Sequence, residues 1–170
     1  ALMENRGRIV ACDIYDHKLQ RVMENAARLG INIIDPMLKD AREIHQDFPK
    51  QADRVLVDAP CSGLGVLRRK PDSRWRKTQQ LLKELPGLQM EILKSGAACV
   101  KPGGILVYST CTIAREENQA VVEKFLKDNA EFQLEHTGSR LPVPREDAMV
   151  QLYPQRDGTD GFFIACMRRK

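Results

Sequence analysis

Five short apolar runs, each bounded by polar or turn-forming residues, set the rhythm of this chain. Arg8-Ile9-Val10-Ala11-Cys12 ends at Asp13, Ile31-Asn32-Ile33-Ile34 at the turn pair Asp35-Pro36, and Arg54-Val55-Leu56-Val57-Asp58 at Ala59-Pro60. Ile105-Leu106-Val107-Tyr108-Ser109 follows the turn Lys101-Pro102-Gly103-Gly104, and residues 161–167 form a closing run. Compact runs of this kind predict buried strands. Helical spacing fills the intervals. Asp16 can cap a helix over residues 17–29 with Leu19, Val22, Met23, Ala26 and Leu29 on one face, and Gly30 stands where a helix end favours glycine. Residues 41–48 suit a short helix, residues 78–100 a longer one interrupted near Pro86-Gly87, and residues 116–128 a third with Val121, Val122, Phe125 and Leu126 inward. Residues 61–77 and 138–160 read as loops, and residues 1–5 as the tail of a helix. Strands alternating with helices predict a parallel α/β sheet wrapped on both faces.

Composition narrows the class without naming a function. A chain of 170 residues, 42% hydrophobic and 29% charged, suits one globular domain. No apolar run approaches the roughly 20 residues that span a bilayer, and the first residues lack the basic and apolar regions of a signal peptide. The five cysteines form no CxxC pair and no ligand-like cluster with the three histidines, so no zinc site is expected. Cys12, Cys99 and Cys166 sit among apolar neighbours and read as small buried hydrophobes. An odd cysteine count without a secretion signal suits a reducing, cytoplasmic setting. The net charge of +4 permits an RNA partner without requiring one.

In parallel α/β sheets ligands bind beyond the carboxyl ends of the strands, and the residues with chemistry sit at those ends. Asp13 can accept hydrogen bonds from ribose hydroxyls, or can serve as a turn aspartate. Asp40 can meet an adenine amino group, or be a solvated loop acid. Asp58-Ala59-Pro60-Cys61-Ser62-Gly63 places a carboxylate and then a thiol just past a strand, with proline fixing the backbone between them. Tyr108-Ser109-Thr110-Cys111-Thr112 places a second thiol in the same way. A helix N-terminus there, and nearby Arg115, would lower the Cys111 pKa, while Glu116 and Glu117 would oppose this. One such cysteine alone reads as a buried turn residue; two at adjacent strand ends suggest covalent catalysis with divided roles. Between residues 66 and 77, Arg68, Arg69, Lys70, Arg74 and Trp75 combine cations for phosphates with an aromatic face for a base. A solvated loop with Trp75 packed on the domain is the competing reading.

Taken together, these strings resemble the RNA cytosine-5 methyltransferases of the Nop/Sun family. The carrying motifs are Cys12-Asp13-Ile14, Asp58-Ala59-Pro60-Cys61-Ser62-Gly63, Arg69-Lys70-Pro71-Asp72 with Trp75, Lys101-Pro102-Gly103-Gly104, Ser109-Thr110-Cys111-Thr112 with Glu116-Glu117-Asn118, and Asp160-Gly161-Phe162-Phe163-Ile164-Ala165. They run nearly end to end. The resemblance implies a Rossmann-like class I methyltransferase fold, with S-adenosylmethionine as methyl donor and small-subunit ribosomal RNA as substrate. It implies Cys111 as the attacking thiolate, Cys61 as the residue that assists product release, and Asp58 as the holder of the target base or of the cofactor's amino group. Asp13 would bind the cofactor ribose and Asp40 would lie near adenine. The family's Gly-rich cofactor turn is not in this sequence; its strand would be central, between the strands at residues 8–12 and 54–58. The chain is therefore expected to be a partial catalytic domain, truncated at its first strand, that binds cofactor poorly and is itself inactive. Unpaired buried backbone groups cost about 1–3 kcal/mol each, so the gap is expected to close by dimerisation, swapping or direct pairing of those two strands.

Other functions stay open on the residues alone. A methyltransferase acting on a small molecule or protein would use the same fold, but a heteroatom nucleophile needs no enzyme thiol. A catalytically silent RNA-binding fragment is a second possibility. A nicotinamide dehydrogenase ranks last, because no GxGxxG string is present.

Overall fold

The computed structural model describes residues 2–76, 78–136 and 147–170. Within these, seven strands and four helices follow the alternating order of an α/β protein: β1 (Ile9–Asp13), α1 (Asp16–Arg28), β2 (Ile34–Leu38), β3 (Ala52–Asp58), α2 (Gln79–Cys99), β4 (Val100–Thr110), α3 (Gln119–Asp128), β5 (Phe132–Glu135), β6 (Met149–Leu152), α4 (Pro154–Asp157) and β7 (Phe162–Arg169). The strands form two sheets. β1 and β2 pair in parallel, while the second sheet has the order β3-β4-β7-β5 with β6 also on β7. β3 and β4 run parallel, and β7 runs antiparallel to β4. The fold is Rossmann-like α/β with a mixed sheet, not the all-parallel one expected. Antiparallel edges of this sort are common on doubly wound sheets.

The core lies between the second sheet and the helices α2 and α3. Leu85, Gln89, Leu93 and Ala97 fall at four-residue spacing along α2 and are all buried, which gives one inward stripe. That stripe continues across Pro86, so α2 is unbroken where an interruption was expected. Leu93, Leu106, Tyr108, Val122, Phe125 and Phe163 are fully buried in one cluster. The opposite face is open: Leu56 is 68% exposed, against the expectation of helices on both sides. The β1–β2 sheet joins this body through a 3₁₀ turn, Ala41–Gln46, whose His45 meets Ser95 of α2 with Nδ1 3.1 Å from Oγ.

Several boundaries differ from the pattern reading. β2 begins at Ile34 and runs through Asp35-Pro36; proline fits because β2 is an edge strand, bonded only to β1. Residues 2–5 form a turn, not a helix end, with Glu4 and Asn5 at positive φ. β6 and α4 occupy what was read as loop, and residues 138–146 of that stretch lie outside the described residues. The third helix begins three residues later than expected, at Gln119, after a 3₁₀ turn Arg115–Glu117. Among the described residues β1 and β3 do not hydrogen-bond to each other, so the direct pairing offered as one expectation is not seen.

Truncating Phe125, which is 0% exposed and packs on Phe132 at 5.3 Å between ring centroids, removes a large core side chain. Phe125→Ala is expected to lose about 3–5 kcal/mol in urea unfolding. Leu56→Ala should stay within about 0.5 kcal/mol of the parent. Equal losses would show that the core is placed on the wrong face.

Candidate active site at the carboxyl ends of β3 and β4

The parallel register of β3 and β4 sets the site. Asp58 stands opposite Ser109, so the loops that leave the two strands start side by side. The Ser109 carbonyl accepts the Ala59 N–H at 2.9 Å, extending the ladder one step beyond β3. Cys61 and Cys111 then sit in matched positions, and their Sγ atoms are 3.3 Å apart. Both cysteines are half-buried, neither sealed from solvent nor fully open. Ser109 Oγ reaches the Asp58 carboxylate at 3.4 Å.

This contact makes the two thiols unlike. The Cys111 pKa is lowered to about 7. The largest cause is the hydrogen bond from Cys61, helped by a backbone N–H and by the positive charge of Lys70; burial and the Asp58 charge work against it. The Cys61 pKa moves far up, because its proton is held by the Cys111 sulfur and because burial disfavours a second anion. One thiol ionises readily and the other keeps its proton. The sequence pointed to a helix N-terminus and Arg115 as the causes. Instead α3 begins eight residues after Cys111, and Arg115 pairs with Glu123 at 3.2 Å. Lys70 is the cation that acts on the thiolate.

A buried polar frame, legible only in part from the sequence, holds the loops. Glu117 is 1% exposed; its carboxyl oxygens accept from the Ser62 N–H at 2.8 Å, Gln89 Nε2 at 3.0 Å and Thr112 Oγ1 at 3.3 Å. Gln89 Nε2 also donates to the Pro60 carbonyl at 2.9 Å. The Ser62 and Thr112 hydroxyl oxygens are 2.8 Å apart. Asn118 accepts from Thr110 Oγ1 at 2.5 Å and donates to the Thr112 carbonyl at 3.0 Å. Gly65 completes the frame: its N–H donates to the Cys111 carbonyl and its carbonyl accepts from Gly161. A Cβ at Gly65 would lie 2.0 Å from the Gly161 oxygen, so no larger residue fits. Glu117 and Asn118 lie in a motif already singled out, but nothing in the pattern marked Gln89, which sits mid-helix.

The remaining candidates are not drawn to the thiols. Asp13 and Asp40 follow β1 and β2 of the other sheet. Asp13 accepts the Tyr15 N–H at 2.9 Å and pairs with Lys18 at 3.3 Å. Asp40 caps the 3₁₀ turn through the Arg42 N–H at 2.9 Å and pairs with the Arg42 guanidinium at 2.6 Å, which holds its carboxyl below the usual range. Arg68 is exposed, and Arg69 pairs with Asp160 at 2.6 Å. Trp75 is 81% exposed and so is not buried against the domain; the side chain of Arg74 lies outside the described residues. Of the other cysteines, Cys99 and Cys166 are buried, while Cys12 is only half-buried and donates to the Lys39 carbonyl at 3.2 Å.

The lowered Cys111 pKa sets a pH dependence. Below it the sulfur carries a proton and is inert; above it the thiolate reacts. Iodoacetamide labelling of Cys111, followed by mass spectrometry, should rise with a midpoint near pH 7. In Cys61→Ala the donated hydrogen bond is gone and the midpoint should move upward. An unchanged midpoint in that variant would show that the thiol contact is not the cause.

Comparison with known proteins gives this geometry a family. Residues 1–168 match the model described as 16S rRNA methyltransferase RsmB/F. The chain is 43% identical to the "Probable ribosomal RNA small subunit methyltransferase B" of Bacillus subtilis, over 99% of this chain and 39% of that protein. It is 33% identical to the ribosomal RNA small subunit methyltransferase F of Aeromonas hydrophila, over 99% of this chain and 37% of that one. Among solved structures, NSun6 from Pyrococcus horikoshii superposes with a TM-score of 0.87 at 32% identity, over 99% of this chain and 43% of that chain. The chain thus spans about two fifths of the length of the curated relatives it matches. It belongs to the RsmB/F family of 16S rRNA methyltransferases.

Proposed function

We propose that this chain is part of the catalytic domain of an enzyme that methylates C5 of a cytosine in small-subunit ribosomal RNA. The observation that carries the reading is the 3.3 Å contact between Cys61 and Cys111, in a chain of this family. Transfer to a nitrogen or oxygen would need no thiol at all. Cytosine C5 is different, because it becomes nucleophilic only after something adds to C6.

The residues divide that chemistry between them. The Cys111 thiolate adds to C6, forming a sulfur–carbon bond and placing electron density on C5. S-adenosylmethionine, when bound, supplies an electrophilic methyl group to that carbon. Asp58, at the end of β3, holds the base through an N–H of its Watson–Crick edge. A solvent base then takes the C5 proton, the C–H electron pair re-forms the C5–C6 double bond, the sulfur–carbon pair leaves on Cys111 as thiolate, and Cys61 assists this release. Asp13 is the acceptor for the cofactor's ribose hydroxyls; each of its oxygens keeps a lone pair beyond the bonds to Tyr15 and Lys18. Asp40 would lie near adenine, sharing its carboxylate with Arg42. Arg68, Lys70 and Arg74 would track phosphates, with Trp75 as a stacking surface. Arg69 can join them only by leaving Asp160.

RNA carrying 5-fluorocytosine tests the covalent step in the whole protein, since fluorine cannot leave as a proton does. A Cys111-linked adduct is expected to accumulate, and Cys111→Ala should form none. Cys61→Ala should hold adduct even on ordinary RNA. An adduct mapped to Cys61 would reverse the two roles, and methyl transfer undiminished in Cys111→Ala would favour a different acceptor atom.

For the 170 residues alone we propose weak cofactor binding and an assembly of more than one copy. Among the described residues β1 and β3 each bond to a strand on one side only, and free strand edges recruit further strands. Calorimetry with S-adenosylmethionine should show no micromolar affinity, and light scattering should give a mass above that of one chain. Micromolar binding overturns the first statement, and a monomer the second.

A further inference from the structure

We infer that Glu117 is the positioning residue of the two-thiol site, a buried clasp that fixes the Cys61 loop against the Cys111 loop. The inference rests on the reading of those thiols given above. It starts from where the bonds of Glu117 go. The Ser62 N–H belongs to the residue directly after Cys61, and Thr112 is the residue directly after Cys111. One carboxyl group takes a hydrogen bond from each, at 2.8 and 3.3 Å. A third bond, from Gln89 Nε2 at 3.0 Å, ties the clasp to α2.

The directions of these bonds are consistent. Gln89 Nε2 faces two acceptors, Glu117 and the Pro60 carbonyl, which settles its amide orientation. Thr112 Oγ1 accepts the Ala114 N–H at 3.2 Å and donates to Glu117, so the Ser62 hydroxyl supplies the proton of the 2.8 Å bond between them. Backbone bonds do only part of this work: the strand ladder stops at the Ala59 N–H, two residues short of Cys61, and the next backbone bond to the Cys111 loop comes from the Gly65 N–H, four residues beyond Cys61. Ser62, Gln89, Thr112 and Glu117 are all at most 1% exposed. Such a network holds one geometry, since each missing partner leaves another buried polar group unpaired.

Glu117 touches neither sulfur, so its effect should appear in turnover more than in binding. We would compare Glu117→Leu with Glu117→Gln in two assays. In the first, diamide takes up the two hydrogens that Cys61 and Cys111 lose on forming a disulfide, and the rate is followed in the 170-residue chain. In the second, kcat and KM for methylation of ribosomal RNA are measured with the whole protein. Glu117→Leu is expected to close the disulfide at least tenfold more slowly and to lose about 100-fold in kcat with KM nearly unchanged, as misplaced reacting groups do. Glu117→Gln should restore both, because its amide oxygen can keep Ser62 and Gln89 while its NH₂ group turns to Thr112. A merely structural role would lower the melting temperature without this split or this rescue. Parent-like rates in Glu117→Leu, or equal damage in Glu117→Gln, overturn the inference. Should Glu117→Leu not fold, Thr112→Val, which removes one arm of the clasp, must slow disulfide closure severalfold; an unchanged rate there also overturns it. If the parent protein deposits no 5-methylcytosine, the functional reading fails, while the disulfide assay still decides the role of Glu117.

Discussion

Everything at this site depends on two strands ending level with each other. β3 and β4 run parallel with Asp58 opposite Ser109, so each strand delivers a cysteine to the same place two or three residues later. Side chains on a strand alternate faces, and a slip of one residue would reverse every one of them. In β3 such a slip would turn Val57 out of the core and Leu56 into it. Burial of Val57 against α2 and of Leu106 and Tyr108 on the neighbouring strand therefore holds the register. The hydrophobic core, through this register, also determines where two sulfur atoms meet.

The main features of this arrangement were readable in the sequence because they are local. Runs such as residues 54–58 and 105–109 announce strands by themselves, and a thiol just past each strand marks a site on an α/β sheet. What the sequence concealed depends on distant partners. The stripe Leu85, Gln89, Leu93, Ala97 carries α2 through Pro86, since tertiary packing outweighs the bond a proline removes. The antiparallel course of β7 and the existence of β6 follow from pairing partners, and residues 149–152 have no strong alternation of their own. Lys70 displaced Arg115 as the cation near Cys111 because the residues after Cys111 fold into a short turn in place of a helix start. The buried Gln89 gave no local signal at all.

The open face of the second sheet and the one-sided strands β1 and β3 share a physical description. Leu56 on β3 is 68% exposed and Leu38 on β2, the partner of β1, 60%; among the described residues each of these strands bonds to a single neighbour. Buried sheets are ordinarily covered on both faces, and within the described residues these surfaces are not. The thiol site lies on the other side of that question. Its frame draws its bonds from residues 58–65, 89, 108–118 and 151–161 and takes none from β1 or β2.

A shared proton explains why two cysteines are better suited than one. If the pair stood apart, Cys111 would lose the largest cause of its lowered pKa while burial and the Asp58 charge still worked against ionisation. At 3.3 Å one proton serves both sulfurs: ionising Cys111 strengthens the bond that Cys61 donates, and that bond then resists loss of the second proton. The same contact thus lowers one pKa and raises the other. Asymmetry enters through the surroundings, since Lys70 and a backbone N–H favour charge on Cys111. Which thiol ionises and which keeps its proton is decided by position, not by residue type. A site of this kind tolerates little movement, because a hydrogen bond between sulfurs weakens steeply with distance, and it follows that the polar frame behind the cysteines is as much a part of the chemistry as the sulfurs themselves.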